Sequence, residues 1–202
     1  AAGLKAYVTW HVTAALQACR ECCGGQGFLA ANRVGVLKTD TDVYTTFEGD
    51  NTVLMQLVAK GLLTEYRQQF GSMRLGGAIR FLAARASRRL AASNPVAARN
   101  TDDAHLRDPV AQAFLLRYRE ERLLGSVASR LKQRLDGGED PFEAFTQCQD
   151  HLLSVAHAHV ERLVATAFRD AIADAPASLR PVLTDLADLH VLGGLERDAA
   201  WF

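Results

Sequence analysis

Residues 140–173 read DPFEAFTQCQDHLLSVAHAHVERLVATAFRDAIA, and the spacing of apolar side chains in this stretch decides the fold. Phe142, Phe145, Cys148, Leu152, Ala156, Val160, Leu163 and Ala167 recur every three or four residues, the interval that returns a side chain to one face of an α-helix. Asp140-Pro141 marks the start, an acceptor side chain for the first free N–H groups followed by a residue that needs none. Glu143 stands three residues after that cap, which is capping-box spacing, and Pro176 is the expected stop. The same start signal occurs at Asp108-Pro109, ahead of an expected buried stripe of Val110, Phe114, Tyr118, Leu124, Val127, Leu131 and Leu135 that Gly137-Gly138 closes. A last helix is expected from Ser178, with Leu179, Val182, Leu183, Leu186, Leu189 and Leu192 leading towards Gly193-Gly194.

Upstream, the pattern predicts a first helix from about Leu4 to Cys23, stopped where Gly24-Gly25 admits a left-handed backbone. An irregular stretch from Gln26 to Gly49 follows, holding the polar run Lys38-Thr39-Asp40-Thr41-Asp42 and a short helix around Arg33 to Leu37. A second strong helix starts at Asp50 or Asn51 and reaches about Phe70. Glycines from Gly71 onward suggest a boundary between domains of residues 1–71 and 72–202. Beyond it an Arg-rich helix is expected over Ile79 to Ala92, then a loop from Ser93 to Asp108. Val, Ile and Thr nowhere gather into alternating runs, so the chain is expected to be all-α, with long antiparallel helices joined by short loops in one or more bundles.

The charge balance narrows the function. With 23 Lys+Arg against 23 Asp+Glu in 202 residues, no global basic excess draws nucleic acid or an anionic membrane. No apolar run approaches the roughly 18–20 residues of a membrane span, and nothing reads as a secretion signal, so a soluble chain is expected. Both ends read as internal to a longer protein: the chain opens without Met and closes on Trp201-Phe202. Cys19, Cys22, Cys23 and Cys148 suit small buried hydrophobes in a reducing compartment better than a disulfide framework or a four-ligand zinc site. His157, His159 and Glu161 are spaced two apart on one helix and so point away from each other, and no metal is expected. Arg80, Arg85, Arg88 and Arg89 suit a solvated face or a contact between domains. Lys5, Trp10 and His11 carry no signal beyond packing.

Two features between the first helices carry chemistry. Three glycines in four positions, Gly24-Gly25-Gln26-Gly27, make either a tight turn or a bare backbone surface that a phosphate or ring edge can approach. Glu48, between Phe47 and Gly49 and just ahead of a helix, is either a desolvated general base steered by the helix N–H groups or a cap for that helix.

Together, Cys19-Arg20-x-x-Cys23-Gly24-Gly25-x-Gly27-Phe28, Asn32-Arg33-Val34-Gly35 and Thr46-Phe47-Glu48-Gly49-Asp50-Asn51-Thr52-Val53-Leu54 resemble the C-terminal helical region of flavin-dependent acyl-CoA oxidases. The match is close over about Leu4 to Tyr66 and looser beyond. The resemblance implies the C-terminal part of an acyl-CoA dehydrogenase-like fold, with 72–202 as the second C-terminal domain. It implies FAD as cofactor, a fatty acyl-CoA substrate, molecular oxygen as acceptor with release of hydrogen peroxide, and a homodimer. By the same resemblance Glu48 is the base that takes the proton alpha to the thioester carbonyl while the beta carbon gives hydride to the flavin, yielding a trans-2-enoyl-CoA. The backbone N–H of Glu48 then binds the carbonyl oxygen, Phe47 and Gly49 flank the substrate, and Gly24, Gly25, Asp50 and Thr52 lie against the flavin. Gln26 and Phe28 depart from the His and Tyr of the animal enzymes without removing the glycines, and Glu21 stands where the related dehydrogenases carry Gln.

An acyl-CoA dehydrogenase that passes electrons to an electron-transfer protein shares this base and cofactor. For the isolated 202 residues, a non-catalytic helical module that binds flavin poorly is the reading of a different class. The Ala- and Arg-rich helices suggest a bacterial, cytoplasmic protein; a eukaryotic one would be peroxisomal, and no Ser-Lys-Leu signal ends the chain.

Overall fold

The computed structural model describes residues 1–72 and 101–199, with side-chain placement omitted for 69–72. Its helices are α1 (Ala2–Cys22), α2 (Val34–Tyr44), α3 (Asn51–Ser72), α4 (Asp103–Leu106), α5 (Pro109–Asp136), α6 (Pro141–Thr146), α7 (Gln149–Asp174) and α8 (Arg180–Arg197). Two 3-10 turns, Gly24–Phe28 and Ala30–Asn32, join α1 to α2. The protein is all-α, as its periodicity predicts. Among the described residues, no helix is long and apolar enough to cross a membrane.

The caps read from the sequence start their helices. Asp108 accepts from the N–H groups of Val110 and Ala111, and Asp140 from those of Phe142 and Glu143. The helix expected as one piece from Asp140 is broken at Gln147-Cys148 into α6 and α7.

Helix α7 is the centre of the bundle, packed against α1, α3, α5 and α8. Pairings along it fix the directions. Gln112, Arg119 and Glu120 of α5 meet Arg169, Glu161 and His159 of α7 in falling order, so α5 and α7 run antiparallel; Asp188 and Arg197 of α8 meet Arg169 and Glu161 in the same sense. Around α7 the core collects Ala6, Met55, Ala59, Leu123, Val127, Cys148, Leu152, Val155, Ala156, Ala158 and Val160. Helix α1 comes in so close that a Cβ on buried Gly3 would lie 2.6 Å from Val160 Cγ2.

A polar seam runs beside this core. Asp188, 5% exposed, is bound by Arg169 and by Gln112 Nε2 at 3.1 Å, while Gln112 Oε1 accepts from Arg169 at 2.7 Å. Further along, Glu120 meets His159 Nδ1 at 2.7 Å and Arg162. Next to it Arg119 binds Glu161 at 2.7 Å and Asp198 at 2.9 Å, and Arg197 binds Glu161 from the other side. Burial pushes the Glu120 carboxyl up, but the hydrogen bonds and charges of His159 and Arg162 outweigh it and hold it below the ordinary carboxylate value.

This seam corrects the expected stripes. On α5 the buried positions are Gln112, Leu116, Arg119, Glu120, Leu123, Gly125 and Val127, whereas Val110 is 75% exposed. On α8 they are Ala187, Asp188 and Val191, with Leu179, Val182, Leu186 and Leu189 exposed. The polar groups go inside because charged and amide partners on neighbouring helices pair with them, only the Arg119 Nε among the described seam atoms being buried without a partner, and this rotates the apolar side chains outward. Helix α8 also starts at Arg180 and runs past Gly193-Gly194 to Arg197.

Two other expectations change. The run Lys38–Asp42 is helical: Lys38 pairs with Asp42 one turn on at 2.9 Å, which supports the helix, and the Thr39 and Thr41 hydroxyls are accommodated by donating back to the carbonyls of Gly35 and Lys38. Cys19, Cys22 and Cys23 are exposed at the end of α1, and only Cys148 is buried. Helix α3 continues through Gly71 to Ser72. The expected Arg-rich helix at 79–92, with Arg80, Arg85, Arg88 and Arg89, and the loop residues 93–100 lie outside the described residues.

Candidate active site

The glycine turn is built on the last turn of α1. Gly24 takes φ +54° after the cap residue Cys23, the left-handed turn predicted there. Gly27 packs so closely on α1 that a Cβ would lie 2.1 Å from the Arg20 carbonyl oxygen, so this glycine is required by packing. The Arg20 guanidinium covers the Phe28 ring at 4.6 Å, and Asn32 Nδ2 donates to the Gln26 carbonyl at 2.7 Å. Gly24 and Gly25 are different: both are exposed, and nothing lies within 4 Å of a Cβ on either. Their backbone is an open, side-chain-free face that a flat or phosphorylated group can approach, so these residues fit a flavin nucleotide.

The loop between α2 and α3 carries Phe47, Glu48 and Gly49. Phe47 N–H donates to Val43 O at 2.8 Å and Asn51 N–H to Thr45 O at 3.0 Å, which closes the loop. Glu48 sits at φ +59° and Gly49 at φ +107°, a strained pair in which only the second residue is glycine. Asp50, not Glu48, caps α3: its Oδ1 accepts from Thr52 N at 2.8 Å and Val53 N at 3.2 Å. The capping alternative for Glu48 is thereby removed. Among the described residues the Glu48 side chain has no hydrogen-bond or ion-pair partner, and its N–H makes no backbone hydrogen bond. The expected desolvation is not provided by this chain, for Glu48 is exposed and Phe47 is 60% exposed.

Helix α1 grips this loop through residues that carried no sequence signal. Lys5 Nζ donates to Gly49 O at 2.7 Å and to Asn51 Oδ1 at 2.8 Å. Asn51, 1% exposed, donates through Nδ2 to Thr9 Oγ1 at 2.9 Å and to Ala6 O at 3.4 Å. Of the expected flavin-contacting residues, Asp50 is engaged as a cap and Thr52 is exposed beside it.

The histidines serve separate neighbours. His157 stacks on Trp10 with centroids 5.4 Å apart, His159 binds Glu120, and Glu161 binds Arg119 and Arg197. His157 and His190, at 3.2 Å from Tyr7 Oη, border adjoining cavities of about 500 and 240 Å³ between α1, α7 and α8 that the sequence did not announce. Burial pushes both imidazoles below the ordinary histidine value.

One helix, α1, thus ends in a bare glycine turn and also grips the loop that carries a carboxylate, within an all-α bundle. Residues 1–63 match the family described as acyl-CoA oxidase, C-alpha1 domain, and residues 108–202 match acyl-CoA oxidase. The chain belongs to the acyl-CoA oxidase family. It is 42% identical over 200 residues to the peroxisomal acyl-coenzyme A oxidase 2 of Arabidopsis thaliana, covering 98% of this chain and 28% of that relative. The crystal structure of acyl-CoA oxidase 3 from Yarrowia lipolytica superposes with a TM-score of 0.83 at 28% identity, over 98% of this chain and 28% of that one. Acyl-CoA oxidase-2 of Caenorhabditis elegans, solved with FAD, ascaroside-CoA and ATP, shares the fold at a TM-score of 0.74 and 20% identity, over 99% of this chain and 28% of that one. The chain thus spans about 28% of the length of these relatives. None of these comparisons favours the bacterial, cytoplasmic expectation.

Proposed function

We propose that this chain supplies the catalytic base and part of the flavin-facing surface of an FAD-dependent acyl-CoA oxidase that desaturates fatty acyl-CoA to trans-2-enoyl-CoA. The observation that carries the reading is Glu48: a carboxylate on a strained, tethered loop, bound to no neighbour and released from capping by Asp50. An alpha proton of a thioester is weakly acidic, so its removal needs a carboxylate held at fixed geometry and later shielded from water. Glu48 takes that proton, and its own N–H, free of backbone partners, donates to the thioester oxygen where negative charge develops. Phe47 and Gly49 flank the acyl group, the one as an apolar wall and the other without a side chain. Gly24 and Gly25 present the bare face for the FAD, with Thr52 and the backbone around Asp50 beside Glu48. Held there by Gly24, Gly25, Thr52 and the backbone around Asp50, FAD would supply the acceptor for the beta hydride and, through its reoxidation by molecular oxygen, the route to hydrogen peroxide.

The division into residues 1–71 and 72–202 belongs to this proposal, supported by separate family matches to 1–63 and 108–202. So do a homodimer and, by likeness to relatives named as peroxisomal, a peroxisomal location. The test is anaerobic bleaching of flavin absorbance by a fatty acyl-CoA in the complete FAD-loaded polypeptide that bears this chain. Wild type bleaches, whereas Glu48→Gln retains flavin and does not; bleaching of the variant at the wild-type rate refutes the base assignment. Peroxide formed one-for-one with enoyl product separates an oxidase from a dehydrogenase.

A second reading concerns the 202 residues alone. The exposure of Glu48, of Phe47 and of Phe28 at 62% leaves the site open on the side where substrate and flavin must be enclosed. Alone, the chain is then a helical module that binds FAD weakly and turns over nothing. Tight, stoichiometric flavin in the purified chain refutes this.

A further inference from the structure

Glu48 has a backbone conformation that its own residue type disfavours, and Gly49 continues it at φ +107°. Such geometry persists only where surrounding contacts over-determine it. Two of the constraints are local to the loop, Phe47 N–H to Val43 O and Asn51 N–H to Thr45 O. The third comes from another helix: the Lys5 ammonium of α1 bridges Gly49 O at 2.7 Å and Asn51 Oδ1 at 2.8 Å. Asn51 is buried and tied in turn to Thr9 and to the Ala6 carbonyl, so Lys5 joins the carbonyl next to Glu48 to a rigid part of the core.

We propose that Lys5 is a positioning residue for the reaction, holding the Gly49 peptide through its ammonium and thereby fixing where the Glu48 carboxylate and N–H point. The inference rests on the assignment of Glu48 as the base. Lys5 acts through the loop: its two acceptors are a backbone carbonyl and an amide oxygen, and neither is a group that reacts. The α1 helix therefore does two jobs for the site. Its C-terminal end carries the glycine turn and its first turns carry the clamp, so a single rigid rod spaces the flavin-facing backbone from the base.

The test replaces Lys5 by Met and by Arg in the complete FAD-loaded polypeptide and measures steady-state kinetics together with amide hydrogen exchange over residues 45–54. A misplaced catalytic group costs on the order of 100-fold, so Lys5→Met is expected to lower kcat about 10- to 100-fold while KM changes little. Exchange at the two hydrogen-bonded loop amides, Phe47 and Asn51, is expected to speed up about tenfold while the core amides of α7 stay protected, the mark of one local constraint lost. Lys5→Arg, which keeps the charge and donors, is expected to restore kcat to within about fivefold. Unchanged kcat and exchange in Lys5→Met overturn the proposal, as does faster exchange throughout α1 and α7, which makes Lys5 a general stability residue. Glu48→Gln in the same background separates the two readings: turnover by that variant sinks the base assignment, whereas an inactive Glu48→Gln beside an unaffected Lys5→Met sinks the clamp alone.

Discussion

Alanine substitutions at three neighbouring glycines should have very different costs. At Gly27 a new Cβ meets three backbone atoms of α1: the Arg20 carbonyl oxygen at 2.1 Å, its carbon at 2.9 Å and its Cα at 3.0 Å. No side-chain rotation relieves that overlap. A carbon needs roughly 3.3 Å from a carbonyl oxygen, so the turn must retreat by about 1.2 Å. Phe28 then moves with it and loosens from the Arg20 guanidinium, now 4.6 Å above its ring. Overpacking costs about 1–3 kcal/mol and an exposed cation–π contact about 0.5–1 kcal/mol, giving roughly 1.5–4 kcal/mol in all. At about 2–4 °C per kcal/mol for a chain of this size, the unfolding midpoint should fall by roughly 3–16 °C. Gly25→Ala finds nothing within 4 Å and needs no positive φ, so it should stay within about 0.5 kcal/mol of wild type. Gly24→Ala has space but must hold φ +54°, at a cost of about 1–2 kcal/mol. Thermal unfolding followed by circular dichroism ranks the three, and a Gly27→Ala variant that melts with Gly25→Ala refutes the packing argument.

Leu152→Ala, at a fully buried position of α7, should cost about 2–5 kcal/mol in denaturant titrations, and a loss below about 1 kcal/mol would mean that the core is not centred there. His157 and His190 have imidazoles pushed below their ordinary value by burial, so the unfolded chain binds protons more readily than the folded one. Their contribution is complete above about pH 6.5 and is lost as the pH falls from there through the folded values; His157→Gln should flatten this slope, and an unchanged slope contradicts the burial. Glu120 is held below its ordinary value, so its contribution is present above about pH 4.5 and fades as the pH drops through the folded value. Glu120→Gln should therefore cost about 1.5–3 kcal/mol near neutrality and progressively less in acid, and a pH-independent loss would count against the ionic role.

What the sequence made legible is what acts over a few residues. Asp108-Pro109 and Asp140-Pro141 start helices because a cap and its N–H groups are two or three residues apart, and Gly24 ends α1 through its own backbone freedom. The paired motifs around Gly24-Gly25 and Glu48 were legible only through their resemblance to acyl-CoA oxidases, for the residues alone left a tight turn and a helix cap as alternatives. Burial was less so: Val110 and Leu189 look like core residues, yet the inward face of α5 and α8 is chosen by helices packed against them. Gln112 and Asp188 are 76 residues apart, and Arg119 and Glu161 are 42 apart, so neither pair announces itself locally. Lys5 escaped notice because its acceptors lie 44 and 46 residues downstream, and Asp50 took the capping role because its carboxylate reaches Thr52 and Val53 directly.

The seam between α5, α7 and α8 also constrains how this part of the chain can drift. If α8 slid by one turn along α7, Asp188 would be left in the interior without Arg169, and Glu161 would lose Arg197. Glu161 would keep Arg119, but a stranded Asp188 is far more costly than a misplaced leucine. The ions therefore act as teeth that permit one alignment. Outward-facing Leu186 and Leu189 are free to vary singly, while Asp188, Arg169 and Gln112 can change only in concert. Across a set of homologues the seam should show up as a linked trio, exchanged together for a different self-consistent set or kept intact.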